Sequence, residues 1–362
     1  MDTSPQPFPT PSEQPAHVDL NLPPEFAAHV PPDAVPHPAA CPPLRWGIVG
    51  PGGIAHKFAR NVREGTGCEV TAVGSRDQAR AEAFAAQHGL AVAVEGYGEL
   101  VTREEVDAVY IATPHSAHRE AALLAIEAGK HVLIEKAFTR NAAEAREVVA
   151  AARAASVFCM EAMWSRFLPH QVVARHLVRS GLLGELVEVV ADHGQALTHV
   201  PRLLDPALAG GALLDLGVYP ISFIVSMLGE PLAVDALGHR SESGVDAISV
   251  SNLSYPGAIG VGTTTLLAST PTRAFVAGRE GCLEFDSRFY EPGGLTATLG
   301  EQVVRWEGTP TLGGFEFQVA EVAHGVAAGQ TESAVLPLHE TVVVMEVMDA
   351  VRRALGARFP GE

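Results

Sequence analysis

The chain is poor in cysteine. Its 362 residues hold four, Cys41, Cys68, Cys159 and Cys282, and no Cys-x-x-Cys pair. No disulfide framework and no metal site is therefore expected, which suits a reducing compartment. Basic residues are scarce as well: 25 Lys and Arg stand against 42 Asp and Glu, for a formal net charge of −17. Such a chain repels nucleic-acid phosphates and anionic membranes, so neither is expected as a partner. An uninterrupted apolar run of about 18 residues is missing, so no membrane span is expected. The opening MDTSPQPFPT lacks the basic and apolar regions of a signal peptide, which leaves the cytoplasm as the expected location.

What is present is core-forming material. Hydrophobic residues make up 47% of the chain. The length favours two domains over one. Residues 1–43 stand apart, with 13 of the 26 prolines and no Lys or Arg. Proline removes backbone donors and stops helices, so this segment reads as a disordered or extended tail. An alternative is an arm that packs on a neighbouring subunit or over a cofactor.

From Leu44 the pattern changes. RWGIVG (45–50), CEVTAVGS (68–75), VDAVYIATP (106–114), HVLIEK (131–136) and VFCMEA (157–162) read as strands. Helical segments separate them at 54–64, 77–88, 118–128 and 142–155. Apolar strands alternating with helices predict a doubly wound parallel sheet over residues 44–165. The rest, 166–362, reads as an α+β domain with an open, mainly antiparallel sheet. Its strands are AISVSNLSY, AIGVGTTTL, TRAFVAG, GCLEFDS and QVVRW, with helices near 168–181, 212–228, 315–328 and 339–355. A broad sheet with small residues on its outer face is a candidate homodimer surface.

GIVGPGGIA (47–55) follows a strand and opens a helix. Gly50 allows the tight turn, Gly52 lets backbone amides approach a pyrophosphate, and Ala55 lets helix and strand pack closely. Gly53 and Ile54 place the helix N-terminus against the phosphates. A dinucleotide site is expected. A site for NAD would carry an acid at the end of the second strand to hold the ribose 2′-hydroxyl. Here stand Ser75 and Arg76, with Arg80 one turn on. These bind a 2′-phosphate, so NADP is expected over NAD. Thr113 and Pro114 end the third strand and border the nicotinamide side, and His118, which begins the next helix, is a candidate cofactor contact with a structural role as the alternative.

Glu135 and Lys136 end a strand whose carboxyl edge faces the same crevice. MEAMWSRFLP brings Trp164, Arg166 and Phe167 to the domain junction. GGALLDLGVYP (210–220) is apolar except for Asp215 and Tyr219, four residues apart and so on one helix face. A buried acid needs a partner.

In this order, these stretches resemble the Gfo/Idh/MocA oxidoreductase family over about residues 44–362. Within it they resemble the branch of dimeric dihydrodiol dehydrogenases and NADP-dependent xylose dehydrogenases. RLLDPALAGGALLDLGVYP, GVDAISV and ARFPGE add to the likeness. The resemblance implies a Rossmann domain, an open-faced sheet domain that pairs in a dimer, and hydride transfer to or from a hydroxyl-bearing carbon. It implies Lys136 as the active-site lysine, in a Glu-Lys-Ala motif where the family usually has Glu-Lys-Pro. Tyr219 is the candidate acid/base, its pKa lowered by Lys136, with Asp215 holding the amine or phenol. Glu135, Lys136, Trp164 and Arg166 are assigned to the cofactor side of the pocket. Lys136, Trp164, Phe167 and Tyr219 are assigned to a small-molecule sugar or diol. The alternatives are a nicotinamide-dependent glycoside hydrolase and a non-catalytic NADP sensor or scaffold.

Overall fold

The computed structural model describes residues 15–362. In chain order, the first half contains α1 (Pro24–Ala27), β1 (Arg45–Val49), α2 (Gly53–Gly65), β2 (Glu69–Ser75), α3 (Gln78–His88), β3 (Val92–Glu95) and α4 (Tyr97–Val101). It continues through β4 (Ala108–Ile111), α5 (His118–Glu127), β5 (His131–Glu135), α6 (Ala142–Ala155) and β6 (Cys159–Ala162). β1 and β4 to β6 are almost wholly buried, as strands covered by helices on both faces must be. The six strands pair in parallel in the order β3-β2-β1-β4-β5-β6. Strand order reverses between β1 and β4. That reversal opens a crevice at the strands' carboxyl ends, the place where doubly wound sheets bind ligands.

The second half contains α7 (Pro169–Arg179), β7 (Leu186–Gly194), α8 (Val218–Leu228), β8 (Ala233–Arg240), β9 (Asp246–Tyr255) and β10 (Ala258–Thr265). β11 (Ala274–Gly278), β12 (Cys282–Phe285), β13 (Leu295–Leu299), β14 (Gln302–Trp306), α9 (Phe315–Ala327) and α10 (Leu338–Leu355) complete it. Its eight-stranded sheet has the order β14-β13-β12-β11-β7-β10-β9-β8. Only the β7–β10 pair is parallel. The expected Rossmann-like sheet and mainly antiparallel second sheet are both present. Four strands, β3, β7, β8 and β13, and the short α4 were not anticipated. β7 and β8 carry charged or glycine residues that blur their alternation.

One buried apolar segment, Pro206–Leu228, has the length and hydropathy of a membrane span. The fold uses it as a core element: a π turn, Leu213–Gly217, runs into α8 beneath the second sheet.

The expectation for the N-terminal segment needs correction. Residues 1–14 lie outside the described residues, but 15–43 are docked. Phe26 is fully buried, and Leu20, Val30 and Val35 pack into the main core. Trp306 Nε1 on β14 donates to Leu20 O at 2.8 Å. At the other end the Cys41 and Cys68 thiols meet with sulfurs 3.6 Å apart. The prolines limit regular structure here to the short α1 and a single 3-10 turn at Pro38–Ala40, each with proline in its first turn, and the apolar residues between them bury against the core.

Candidate active site

A cleft of about 820 Å³ runs along the carboxyl ends of β1, β2, β4 and β5. Gly50 turns the chain out of β1 at φ +91°, where a Cβ would lie 3.1 Å from Ala112 O. The turn therefore requires glycine. Gly52 caps α2 with no side chain, so the helix start is bare toward the cleft. Thr113 Oγ1 is buried beside this turn with no partner among the described residues. A bare helix N-terminus, a glycine cradle and an orphaned hydroxyl fit a dinucleotide.

Ser75, Arg76 and Arg80 line the same cleft. Ser75 is buried, and its Oγ accepts from Asp77 N at 3.2 Å. Arg76 and Arg80 are exposed, and among the described residues neither guanidinium pairs with a carboxylate. Asp77, also on the cleft wall, caps α3 by accepting from Arg80 N.

At the opposite end, Lys136 follows β5, and its peptide bond to Ala137 is cis. Lys136 Nζ donates to the backbone Asp215 O at 2.7 Å and lies 3.7 Å from Asp215 Oδ1. The same amine sits 5.2 Å from the centre of the Tyr219 ring. Arg202 donates to Asp215 Oδ1 through both terminal nitrogens, at 3.1 and 3.2 Å. Burial pushes the Asp215 carboxyl up, but the positive charges of Lys136 and Arg202 outweigh it and hold the group at about 2. Glu135, buried, accepts from the Tyr110 hydroxyl and from Lys136 N. Burial raises the Glu135 pKa, and Lys136 opposes that shift.

Tyr219 accepts from Trp164 Nε1 at 3.0 Å. Its ring packs against Tyr290 at 4.7 Å and His193 at 5.2 Å. The expected lowering of the phenol pKa by Lys136 is overturned. Burial raises it, and the charges of Glu135 and Asp215 raise it further. In this state Tyr219 holds its proton.

Lys136, Asp215, Glu135, Thr113, Pro114 and the glycine loop thus share one cleft, with Tyr219 just behind Lys136. Four assignments differ. Arg166 does not face the cleft. It is buried between Glu340, Ser222 and Val335 O, where it forms a structural ion pair. Phe167 is a core side chain. His118 is fully buried and bridges Thr113 O and Ala137 O at 2.9 Å each, supporting the cleft from beneath. Trp164 reaches the site only through Tyr219, and its indole stacks near Phe315 under the Lys57 amine.

Sequence reasoning missed His115, Arg202, Tyr97, His193 and Tyr290. His115, the other histidine of TPHSAH, contacts both Lys136 O and Ala209 O at 3.2 Å. It ties the lysine turn to the segment before Asp215. Burial lowers its pKa to about 3, so the ring is neutral. His193 is also buried, its Nδ1 has no partner among the described residues, and burial lowers its pKa to about 4. His115 and Arg202 lie inside stretches the sequence had already singled out, but neither residue type at its position signalled the contact it makes.

The fold and cleft define a two-domain nucleotide-binding protein of Rossmann type. Residues 44–163 match the oxidoreductase family with an NAD-binding Rossmann fold, and residues 172–284 match the GFO/IDH/MocA C-terminal domain. A trans-1,2-dihydrobenzene-1,2-diol dehydrogenase from Bos taurus is 38% identical over 329 residues, covering 88% of this chain and 98% of its own. An aldose-aldose oxidoreductase from Caulobacter crescentus, solved with glycerol, superposes with a TM-score of 0.80. It is 28% identical, over 86% of this chain and 97% of its own. A 3-ketoreductase from Actinomadura kijaniata, solved with NADP and TDP-benzene, gives a TM-score of 0.76 at 27% identity, over 86% and 98%. The chain belongs to the Gfo/Idh/MocA oxidoreductase family.

Proposed function

We propose that the protein transfers hydride between NADP and a hydroxyl-bearing carbon of a sugar or cyclic trans-diol. The observation that carries this reading is the Lys136 amine, bonded to Asp215 and 5.2 Å from the Tyr219 ring, in the cleft that also holds the glycine loop. The relatives named for diol, aldose and keto-sugar chemistry support the substrate class. Ser75, Arg76 and Arg80, with no acid placed to repel a 2′-phosphate at the strand end itself, support NADP over NAD.

A bound NADP supplies the hydride acceptor, and the protein orients and moves the proton. Tyr219 is protonated at rest because of burial and its acidic neighbours. It donates its proton to the substrate oxygen as charge grows there in the reductive direction. In the oxidative direction the phenol first gives its own proton to solvent, and the phenolate then takes the proton of the substrate hydroxyl as hydride leaves the carbon. The positive charge of Lys136 stabilises the phenolate that forms while the proton is away, and Asp215 holds the amine in place. Trp164 fixes the direction of the phenol oxygen. The aromatic faces of Tyr290, His193 and Tyr219 suit the C–H faces of a sugar or hydroaromatic ring.

The test is reduced-nicotinamide absorbance with NADP and a panel of aldoses and cyclic diols, for wild type and Tyr219→Phe. Wild-type signal that collapses in the mutant supports the reading. No signal with any substrate, while NADPH still binds tightly, overturns it.

The homodimer belongs to the same proposal. Leu237, Val250 and Ile259 are exposed on one face of β8, β9 and β10. Light scattering of wild type and Leu237→Asp is expected to show a dimer that the charge disrupts.

A further inference from the structure

The helical segment that carries Asp215 and Tyr219 has no local cap. Ala212 precedes it and offers no side-chain acceptor. The first amides of a helix need partners, and a buried one left bare is costly. The partner comes from β9: Leu213 N donates to Asp246 Oδ2 at 2.6 Å. Asp246 is 1% exposed. Its carboxylate reaches the helix because Gly211 has no side chain. A Cβ there, at φ +123°, would sit 2.2 Å from Asp246 Oδ1. The turn that Asp246 caps is the π turn Leu213–Gly217, which contains Asp215 and ends two residues before Tyr219. Single π turns inside helices recur at functional sites because they redirect side chains.

We propose that Asp246 is a positioning residue: its carboxylate anchors the Leu213 amide and so sets where Asp215 meets Lys136 and where Tyr219 meets Trp164. Its consequence for turnover rests on the oxidoreductase reading above.

Arg352 of α10 is the cation whose field reaches it, already engaged by Asp349 and Glu362. Arg240, paired opposite on β8, sends its guanidinium to Gly356 O. Asp215 lies on the capped turn. Burial raises the Asp246 pKa to about 6, against the pull of the Leu213 amide and Arg352. An acid whose folded pKa lies above its unfolded value binds its proton more readily when folded. Stability therefore falls as pH rises from the unfolded pKa through about 6, and above that the ionised group is a net cost to folding.

The experiment measures kcat and KM against pH for wild type, Asp246→Asn and Asp246→Ala, together with the amide NMR shift of Leu213. Wild-type kcat is expected to fall on the acid side near the Asp246 pKa of about 6. Asp246→Asn should lack that limb, keep its NADPH KM within about twofold, and be no less stable than wild type at pH 8. Asp246→Ala should lower kcat by on the order of 10- to 100-fold, the cost of a misplaced reacting group. If the alanine variant does not fold, the asparagine variant carries the test. An acid limb that persists unchanged in Asp246→Asn overturns the proposal. The Leu213 amide is independent of turnover: a titration in wild type that is absent in Asp246→Asn supports the anchor even if no substrate is found. In that case only the reading of the reaction falls. A Leu213 amide that does not titrate in wild type overturns the anchor itself.

Discussion

The two ends of the cleft are built from opposite materials. At the phosphate end stand bare amides, glycines and two exposed guanidiniums, Arg76 and Arg80, without carboxylate partners among the described residues. At the other end Lys136, Asp215 and Tyr219 are largely or fully buried and each is already hydrogen-bonded. The first end offers unspent binding capacity to an anion. The second is preorganised, with its charges fixed before any ligand arrives. Within a chain of net charge −17, the local cations at the first end supply the attraction that the whole molecule does not. Binding should therefore respond mainly to changes at one end and turnover mainly to changes at the other.

The sharpest way to break that division is Tyr219→Phe. Removing a positioned proton donor is expected to lower turnover on the order of 10²- to 10⁴-fold. Affinity for NADPH, followed by fluorescence titration, should change less than about twofold, because Tyr219 makes no part of the phosphate end. A mutant that turns over normally, or one that loses NADPH, would show that the ends are not separate.

Asp215→Ala probes the buried pair itself. It leaves Lys136 without its carboxylate in a site where the amine is 15% exposed. Breaking a buried pair by removing one member costs about 3–5 kcal/mol. Arg202 is half exposed, so water screens its share of the loss. The sign follows from the depressed pKa. Asp215 stabilises the fold fully above its ordinary value of 3.8, and that contribution disappears as pH falls through about 2. Urea unfolding should show wild type more stable at pH 7, with the gap narrowing below pH 4. An equal gap at pH 7 and pH 3 would remove the ionic account of this pair.

What the sequence made legible follows the same division by reach along the chain. Gly50-x-Gly52 and the apolar strands were readable because their partners lie within one strand–helix unit. Asp215 and Tyr219 were readable as the polar exceptions in an apolar helix. Arg202, His115 and His193 were not, because each is defined by a contact made elsewhere in the fold; His115 meets Ala209, 94 residues away. Arg166 was misassigned because its place beside Trp164 in sequence hid a partner, Glu340, 174 residues on. The docking of residues 15–43 was hidden for a related reason. Composition reported the prolines, while the burial of Phe26 and the Trp306–Leu20 bond depend on surfaces that form only in the folded protein.

The smallest effects belong to the phosphate end, where exposure weakens each contact. Arg76→Ala and Arg80→Ala should each lower the preference for NADPH over NADH by up to about tenfold, the scale of one charge-assisted hydrogen bond of 1.5 kcal/mol. Turnover at saturating cofactor should stay near wild type. Because both guanidiniums are exposed, their contribution should shrink as salt shortens the Debye length from about 10 Å at 0.1 M to about 3 Å at 1 M. Cofactor affinities at these two salt concentrations, for wild type and the double mutant, check this directly. Wild-type preference for NADPH should converge on that of the mutant at high salt. A preference that survives both the double mutation and 1 M salt would move the recognition of the 2′-phosphate to Ser75 and the backbone around it. The phosphate end would then be preorganised too, and the contrast between the two ends would be lost.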